Sequence, residues 1–568
     1  MKRTLITLGL TFSLALSLVG CKGADTSKSA DVIFTGGNIY TMEKDSAKVE
    51  SLAVKDGKIV ALGSNADVEA LKSENTKVVD LKGKTLLPGF IDGHTHAANS
   101  VEVTHAAKLS DGESLEDYVK ITKEYAEKSK DKNVILGAGW IVPLVHNDAN
   151  PKSHLDKISK DKPIILIGED RHTIWLNSKA LEMAGVTKDY KEPQGGKIGR
   201  LPNGEPNGIL YETAAWSTLE KLPGFSKEDI KASLEIYDKL ALERGVTQIN
   251  HILMYNQKVV TEALLELEKE GKLNVVHYLS YSVFPHEGVN KMPYIKEVKE
   301  KLKGEYVKFL GIKIFNDGVL EGETAQLVED YTHKPGYKGF SIWKAEDFKN
   351  TVKAYDKEKI TLHIHNIGDA ATKYTLDAIE EARKENGNKD LRHKITHLQL
   401  VKEEDIKRMA DLNIIAVPQP NWAYKEDAFY KQAVEITGQK RADAQYPLNS
   451  LFKAGITVSS ASDFPVTIEW APLEGIEVGV TRCALGDAKK ETLLNSNEAA
   501  SVENMVKSYT INGAYGNYSE STTGSLKVGK DADLVVLDKD IFTIPNHQIA
   551  TSKVLQTYNN GKEVYNKQ

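Results

Sequence analysis

The sequence predicts an α/β protein: a (β/α)8 barrel of the TIM type with an insertion lobe, joined to a small β-sandwich formed by both chain ends. Two observations carry that expectation. Through the middle of the chain, short apolar strand runs alternate with amphipathic helices, the pattern of βα units around a parallel sheet. The runs at 85–91, 246–253, 275–283, 307–315, 360–364, 394–398, 414–417 and 457–461 number the eight that such a barrel requires. The two termini, about 450 residues apart, share instead a texture of short strands and tight turns, as expected of one sandwich completed around an inserted domain.

Taken in order, residues 1–20 are expected to be a targeting segment. Lys2 and Arg3 precede an apolar run, Thr4 to Gly20, that ends at Leu18-Val19-Gly20-Cys21. The run is at the short end of the ~17–25 residues that a membrane span needs. It resembles a bacterial lipoprotein signal, which implies cleavage before Cys21, lipidation of that cysteine, and a protein held outside the cytoplasm on a membrane of the cell envelope. Residues 21–30 are small and polar, as in a flexible tether. The first part of the sandwich is expected over 31–84, with strands at Val32-Ile33-Phe34, Ile39-Tyr40, Leu52-Ala53-Val54 and Ile59-Val60-Ala61. The last two are split by the hairpin signal Lys55-Asp56-Gly57. The barrel follows over 85–515. Residues 97–242 are too many to link neighbouring strands and are expected to form a lobe over the barrel mouth. Ser226 and Asp229 make a capping box, followed by Ile230, Leu234, Tyr237 and Ala241 at helical spacing and closed by Gly245. Phe348, Val352 and Tyr355 repeat the spacing, as do Leu376 and Ile379. The sandwich is completed over 516–568, where Leu534-Val535-Val536-Leu537 and the run after Val554 read as strands.

Composition narrows the function. A chain of 568 residues exceeds the ~250–300 that one core holds. With 74 basic against 80 acidic residues the net charge is −6, and no basic stripe marks nucleic-acid binding. Two cysteines exclude a disulfide framework and a thiolate metal site, and leave Cys483 a lone thiol. Fifteen histidines make imidazole and carboxylate the ligands for any metal. There is no Gly-x-Ser-x-Gly elbow, and Gly137-Ala138-Gly139 lacks the strand and helix of a phosphate loop.

The candidate chemistry clusters at strand ends. His94 and His96 are two apart on an extended run, so both imidazoles face one side, at the end where such barrels carry their active sites. His363 and His365 are paired in the same way, and His393, Ile395 and His397 are expected to share a face, with His397 nearer the functional end. Lys313 lies inside a run buried on both sides, where an unpaired charge is costly. Asp463 follows Ser459-Ser460-Ala461-Ser462 and precedes Phe464-Pro465, where the chain must leave extended geometry.

The segment Pro88-Gly89-Phe90-Ile91-Asp92-Gly93-His94-Thr95-His96 resembles the first-strand metal motif of the amidohydrolase superfamily. Four further segments resemble its family 3 branch, which includes N-substituted formamide deformylase-like enzymes: Leu362 to Asp369, Arg392 to His397, Ser462 to Val466 and Gly524 to Asp533. The chain departs from the branch at Thr396, where Glu is common, and at Phe464, where Trp is usual. The resemblance implies a metal-dependent hydrolase of an amide or other non-peptide C–N bond in a small molecule. It implies ligands His94, His96, His365, His397 and Asp463, holding one or two divalent ions, Zn²⁺ first and Mn²⁺, Fe²⁺ or Co²⁺ as alternatives. Lys313 is then either carboxylated and bridging two ions, or neutral or paired with Asp317 beside one. Asp463 moves the proton, His397 helps hold the developing oxyanion, and His363 supports the ligands. His172, in a stretch resembling the branch's lobe, either meets substrate or makes a structural hydrogen bond. Trp140, Tyr211, Glu212, Asn250, His251, Gln419 and Trp422 are the remaining candidates near strand ends or in the lobe. Two rival readings are a deaminase or cyclic amidase, and a solute-binding lipoprotein on an enzyme scaffold. Deaminases of the group place Glu shortly after the fifth-strand His, where this chain has Asn366-Ile367-Gly368-Asp369; the intact ligand set opposes the second reading.

Overall fold

A computed structural model describes residues 29–43, 48–145, 148–387, 389–468 and 470–567. Its centre is a parallel sheet of β1 (Phe90–Thr95), β2 (Val246–Leu253), β3 (Val276–Ser282), β4 (Val307–Phe315), β5 (Thr361–Asn366), β6 (Lys394–His397) and β7 (Ile415–Val417), neighbours in that order. The eighth expected strand, 457–461 (β8), is no regular strand and bridges only between Ala416 and Val458, but its backbone closes the ring. Ser459 N donates to Ala416 O at 2.9 Å on one side, and Gly93 N donates to Ser460 O at 3.0 Å on the other. The seam is tight: a Cβ on Gly93 would stand 2.6 Å from Ser459 Oγ, so only glycine lets β1 and β8 approach. Strand residues alternate as the pleat demands. Ile312, Ile314, Leu362, Ile364 and Ile395 join the core under the helices, while the intervening positions face the barrel interior.

Two expected boundaries move. The run 85–91 is two strands broken at Gly89. Thr85–Pro88 pairs with Leu534–Leu537 in the sandwich, and the barrel begins at Phe90. The helix Lys227–Glu243, here α1, carries the expected capping box, but belongs to the barrel wall and not to the lobe. Its buried face of Ile230, Leu234, Tyr237, Ala241 and Leu242 packs into the barrel core, the Ile and Leu side chains each contributing ~1.5–3 kcal/mol of burial. The lobe's own sheet runs in the order 196–200, 206–212, 173–176, 164–168, 135–140, 107–108 and has separate cores on its two faces.

Both termini build the sandwich. A four-stranded sheet from residues 32–80 faces a six-stranded one that mixes residues 38–88 with 534–566. Phe34, Leu52 and Ile59 pack between them against Leu534, Val536 and Tyr558. Among the described residues no helix is long and apolar enough to cross a membrane. The apolar run from Thr4 to Gly20 and Cys21 lie outside the described residues.

Candidate metal centre

The mouth of the barrel is assembled by backbone bonds between β1 and the chain leaving β8. Asp463 N donates to His94 O at 2.9 Å, and His96 N donates to Phe464 O at 2.8 Å. The Asp92 carboxylate ties the two further, accepting from His94 N at 3.1 Å and from Ser462 N at 3.0 Å. Asp463 takes a left-handed φ of 55°, which Asp and Asn tolerate better than other side chains. That turn brings Asp463 Oδ1 to 3.2 Å from both His94 Nε2 and His96 Nε2, with Oδ2 3.9 Å from His397 Nδ1.

His397 corrects the expected alternation. His393 and Ile395 face the helices, with His393 Nε2 3.0 Å from Asp356 Oδ2 on the helix Ala345–Lys357. His397 has φ 73° and Leu398 φ 54°. This left-handed step turns the His397 ring inward, against strict two-residue periodicity. Gln419 Oε1 then lies 3.0 Å from His397 Nδ1, and Trp422 stacks on the ring at 5.8 Å. His365 stands 4.4 Å from His397 between ring centroids; its Nε2 is bonded to Gly318 O at 3.1 Å, so Nδ1 is left as a lone-pair site. His363 does share a face with His365, and lies behind His94, 2.9 Å from its Nδ1.

Burial sets the charges. It pushes His94 and His365 far below the ordinary imidazole range and His397 to about 3, so all three are neutral. Burial also pushes the Asp463 carboxyl up, but the contacts of His94 and His96 outweigh it and hold the group ionised. Lys313 is wholly buried, and burial lowers it to about 7 against a weaker opposing pull from Asp463. Its Nζ finds no hydrogen-bond partner among the described residues and lies 4.6 Å from the Phe315 ring centre. Asp317 does not pair with it. Its carboxylate accepts backbone N–H bonds from Gln326, Ile367 and Gly368 at 2.9–3.0 Å and shapes the loop beside His365.

The lobe contributes His172. Glu212 Oε2 lies 2.5 Å from its Nδ1, and the ring tilts against His365 at 5.2 Å. Burial lowers His172, but the Glu212 carboxylate outweighs it and raises the group above the ordinary range. Of the other candidates, Trp140 is lobe core and His251 pairs with His277 outside the barrel interior, whereas Glu212, Asn250, Gln419 and Trp422 border the centre or its supports.

The donor set fits a cation. One ligand atom each from His94, His397 and Asp463 lie within 4.8 Å of one another. His94 Nε2 and Asp463 Oδ1 are buried and close, yet neither makes a hydrogen bond among the described residues; His365 Nδ1 is equally orphaned. Such groups are tolerated where a shared ion satisfies them.

A parallel barrel with neutral imidazoles and one ionised carboxylate converging beyond its strand ends is the framework of a metal-dependent hydrolase. The comparisons give the family: the amidohydrolase model Amidohydro_3 matches residues 77–565, and the chain belongs to that family of hydrolases acting on carbon–nitrogen bonds. YtcJ of Bacillus subtilis (strain 168) is 29% identical over 537 residues, spanning 94% of this chain and 99% of that protein. N-substituted formamide deformylase of Arthrobacter pascens is 25% identical over 557 residues, spanning 94% and 97%. In fold, the chain is similar to the crystal structure of an uncharacterized metal-dependent hydrolase from Pyrococcus horikoshii OT3, with TM-score 0.70 and 23% identity over 91% of this chain and 99% of that one.

Proposed function

We propose that the protein hydrolyses the amide bond of a small N-acyl or N-formyl compound with a divalent ion held by His94, His96, His365, His397 and Asp463, with Lys313 beside them. The observation that carries this reading is the pair His94 Nε2 and Asp463 Oδ1, 3.2 Å apart, buried, and without hydrogen bonds. Imidazole and carboxylate donors without thiolate favour Zn²⁺. When bound, such an ion supplies a water acidified from ~15.7 toward ~7 and polarises the carbonyl under attack.

The chain's own residues do the rest. Asp463 takes the proton from the attacking water and returns it to the leaving nitrogen, as a general base and then acid. His172, oriented by Glu212, whose carboxylate favours its protonated form, donates in that form a hydrogen bond to the carbonyl oxygen as negative charge develops there. His397, with its Nδ1 on Gln419, keeps Nε2 free for the centre. With its pKa lowered to about 7, a large share of Lys313 is neutral amine at neutral pH, the form that adds to CO₂: a nitrogen–carbon bond forms, one proton leaves, and the resulting carbamate would offer oxygen donors to hold a second ion. The relative named N-substituted formamide deformylase supports an N-formyl or N-acyl substrate. The basic start, apolar run and Leu-Val-Gly-Cys end support lipidation of Cys21 and an envelope-anchored enzyme.

The test is amine release from a panel of N-formyl and N-acyl compounds, before and after metal removal with a chelator and again after Zn²⁺ is restored. Turnover that disappears and returns supports the reading. Turnover indifferent to chelation, with no ion bound, overturns it.

A further inference from the structure

Behind the centre, a buried chain of polar side chains runs down the barrel axis: His94 on β1, His363 on β5, Asn250 on β2 and Lys394 on β6. Each is at most 1% exposed. His94 Nδ1 and His363 Nε2 are 2.9 Å apart. Beyond His363, with the Asn250 amide assigned in the orientation its neighbours require, its oxygen lies 3.0 Å from His363 Nδ1 and 3.0 Å from Lys394 Nζ, and its nitrogen donates to Tyr278 O at 3.3 Å and Ser280 Oγ at 3.0 Å. Lys394 also donates to Asn517 Oδ1 at 3.3 Å.

The direction of every proton in this chain is set by two groups that cannot reverse. The Tyr278 carbonyl only accepts, and the Lys394 ammonium only donates. Turning the Asn250 amide over would set oxygen against carbonyl and NH₂ against the lysine, so its oxygen must face Lys394 and His363. An amide oxygen cannot donate, so His363 carries its proton on Nδ1 and leaves Nε2 bare. His94 then donates from Nδ1, and its Nε2, the atom turned toward Asp463, is left with a lone pair.

We propose that Lys394 and Asn250 are positioning residues that fix His94 in the one tautomer able to bind an ion through Nε2, acting through His363 from the floor of the barrel. This rests on the proposed role of His94 as a ligand. Without the Asn250 acceptor, His363 is free to present Nε2–H to His94, whose Nε2 then carries the proton and cannot ligate. Supports of this kind are worth tenfold to hundredfold in metal affinity.

The experiment measures the Zn²⁺ dissociation constant of the full chain by competition with a chromophoric chelator. Asn250→Leu removes the acceptor, Asn250→Asp keeps an oxygen that accepts from both neighbours and, as the buried acid, an O–H for the Tyr278 carbonyl, and Lys394→Met removes the orienting donor. Circular dichroism checks each fold. Asn250→Leu and Lys394→Met should bind about tenfold to hundredfold more weakly, and Asn250→Asp within about threefold of wild type. Because these variants risk the fold, ¹⁵N spectra of the histidine-labelled zinc enzyme test the wild type directly: His363 should carry its proton on Nδ1. A wild type that binds Zn²⁺ while all three variants bind as tightly, an Asn250→Asp as weak as Asn250→Leu, or a His363 protonated on Nε2 overturns the relay and leaves the proposed function standing. A wild type that binds no ion overturns both.

Discussion

Replacing Asp463 by Asn separates proton transfer from metal holding. The backbone does not resist the change, since φ is 55° at this position and Asn accepts the left-handed region as readily as Asp. The volume is unchanged, and the amide oxygen can take the place of Oδ1, 3.2 Å from His94 and His96. The amide nitrogen would replace Oδ2, 3.9 Å from a His397 Nδ1 already bonded to Gln419. What is lost is the negative charge and the capacity to accept and return a proton. General acid–base catalysis contributes ~10²–10⁴ in rate, which is ~2.7–5.5 kcal/mol of barrier. Asp463→Asn should therefore fold, retain most of its metal, and lose that factor in kcat. The assay is paired: bound metal and kcat on one preparation, with circular dichroism for the fold. Full metal with near-wild-type turnover would remove Asp463 from proton transfer and leave it a turn residue.

Other perturbations have equally definite outcomes. Lys313→Ala should lower the metal stoichiometry, with partial rescue by short-chain carboxylates; a variant that keeps wild-type metal content refutes the carbamate. Lys394 falls from the ordinary 10.5 to about 7 because burial disfavours its charge. Between those values the unfolded chain holds a proton that the folded chain lacks, so stability climbs by ~1.36 kcal/mol per pH unit. Denaturant unfolding of Lys394→Met from pH 7 to pH 10.5 should be flatter than wild type by that slope. Ser226→Ala removes the side-chain cap of α1 and should cost ~1 kcal/mol in the same assay. Cys21→Ser should release the protein from the membrane fraction without changing purified activity; unchanged membrane association refutes the anchor.

The sequence made the barrel legible wherever periodicity was regular. The His94/His96 and His363/His365 pairs were placed correctly because extended strands carry positions i and i+2 to one side. The same rule misplaced His393 and Ile395 with His397, because the left-handed turn at His397 is a backbone event without a glycine to announce it. That error also hid Lys394, which alternation from His397 puts on the outer face although the structure places it beside Asn250. A signal was present: Lys394 opens its strand and Lys313 lies late in its own, each beside isoleucine, and both prove fully buried. Asp92 was legible only as part of a motif. Its bond to Ser462 spans 370 residues of chain and depends on β8 closing against β1. The lobe's reach was overestimated because α1 follows it without a break in composition, and only packing assigns that helix to the barrel.

The most direct test of the metal centre is ion content per chain, by elemental analysis of wild type, His94→Ala and His96→Ala purified alike after loading with Zn²⁺. The account predicts that wild type retains one or two ions per chain and that each alanine variant, folded by circular dichroism, loses at least one of them along with turnover. Retention of the full complement by both variants would contradict it.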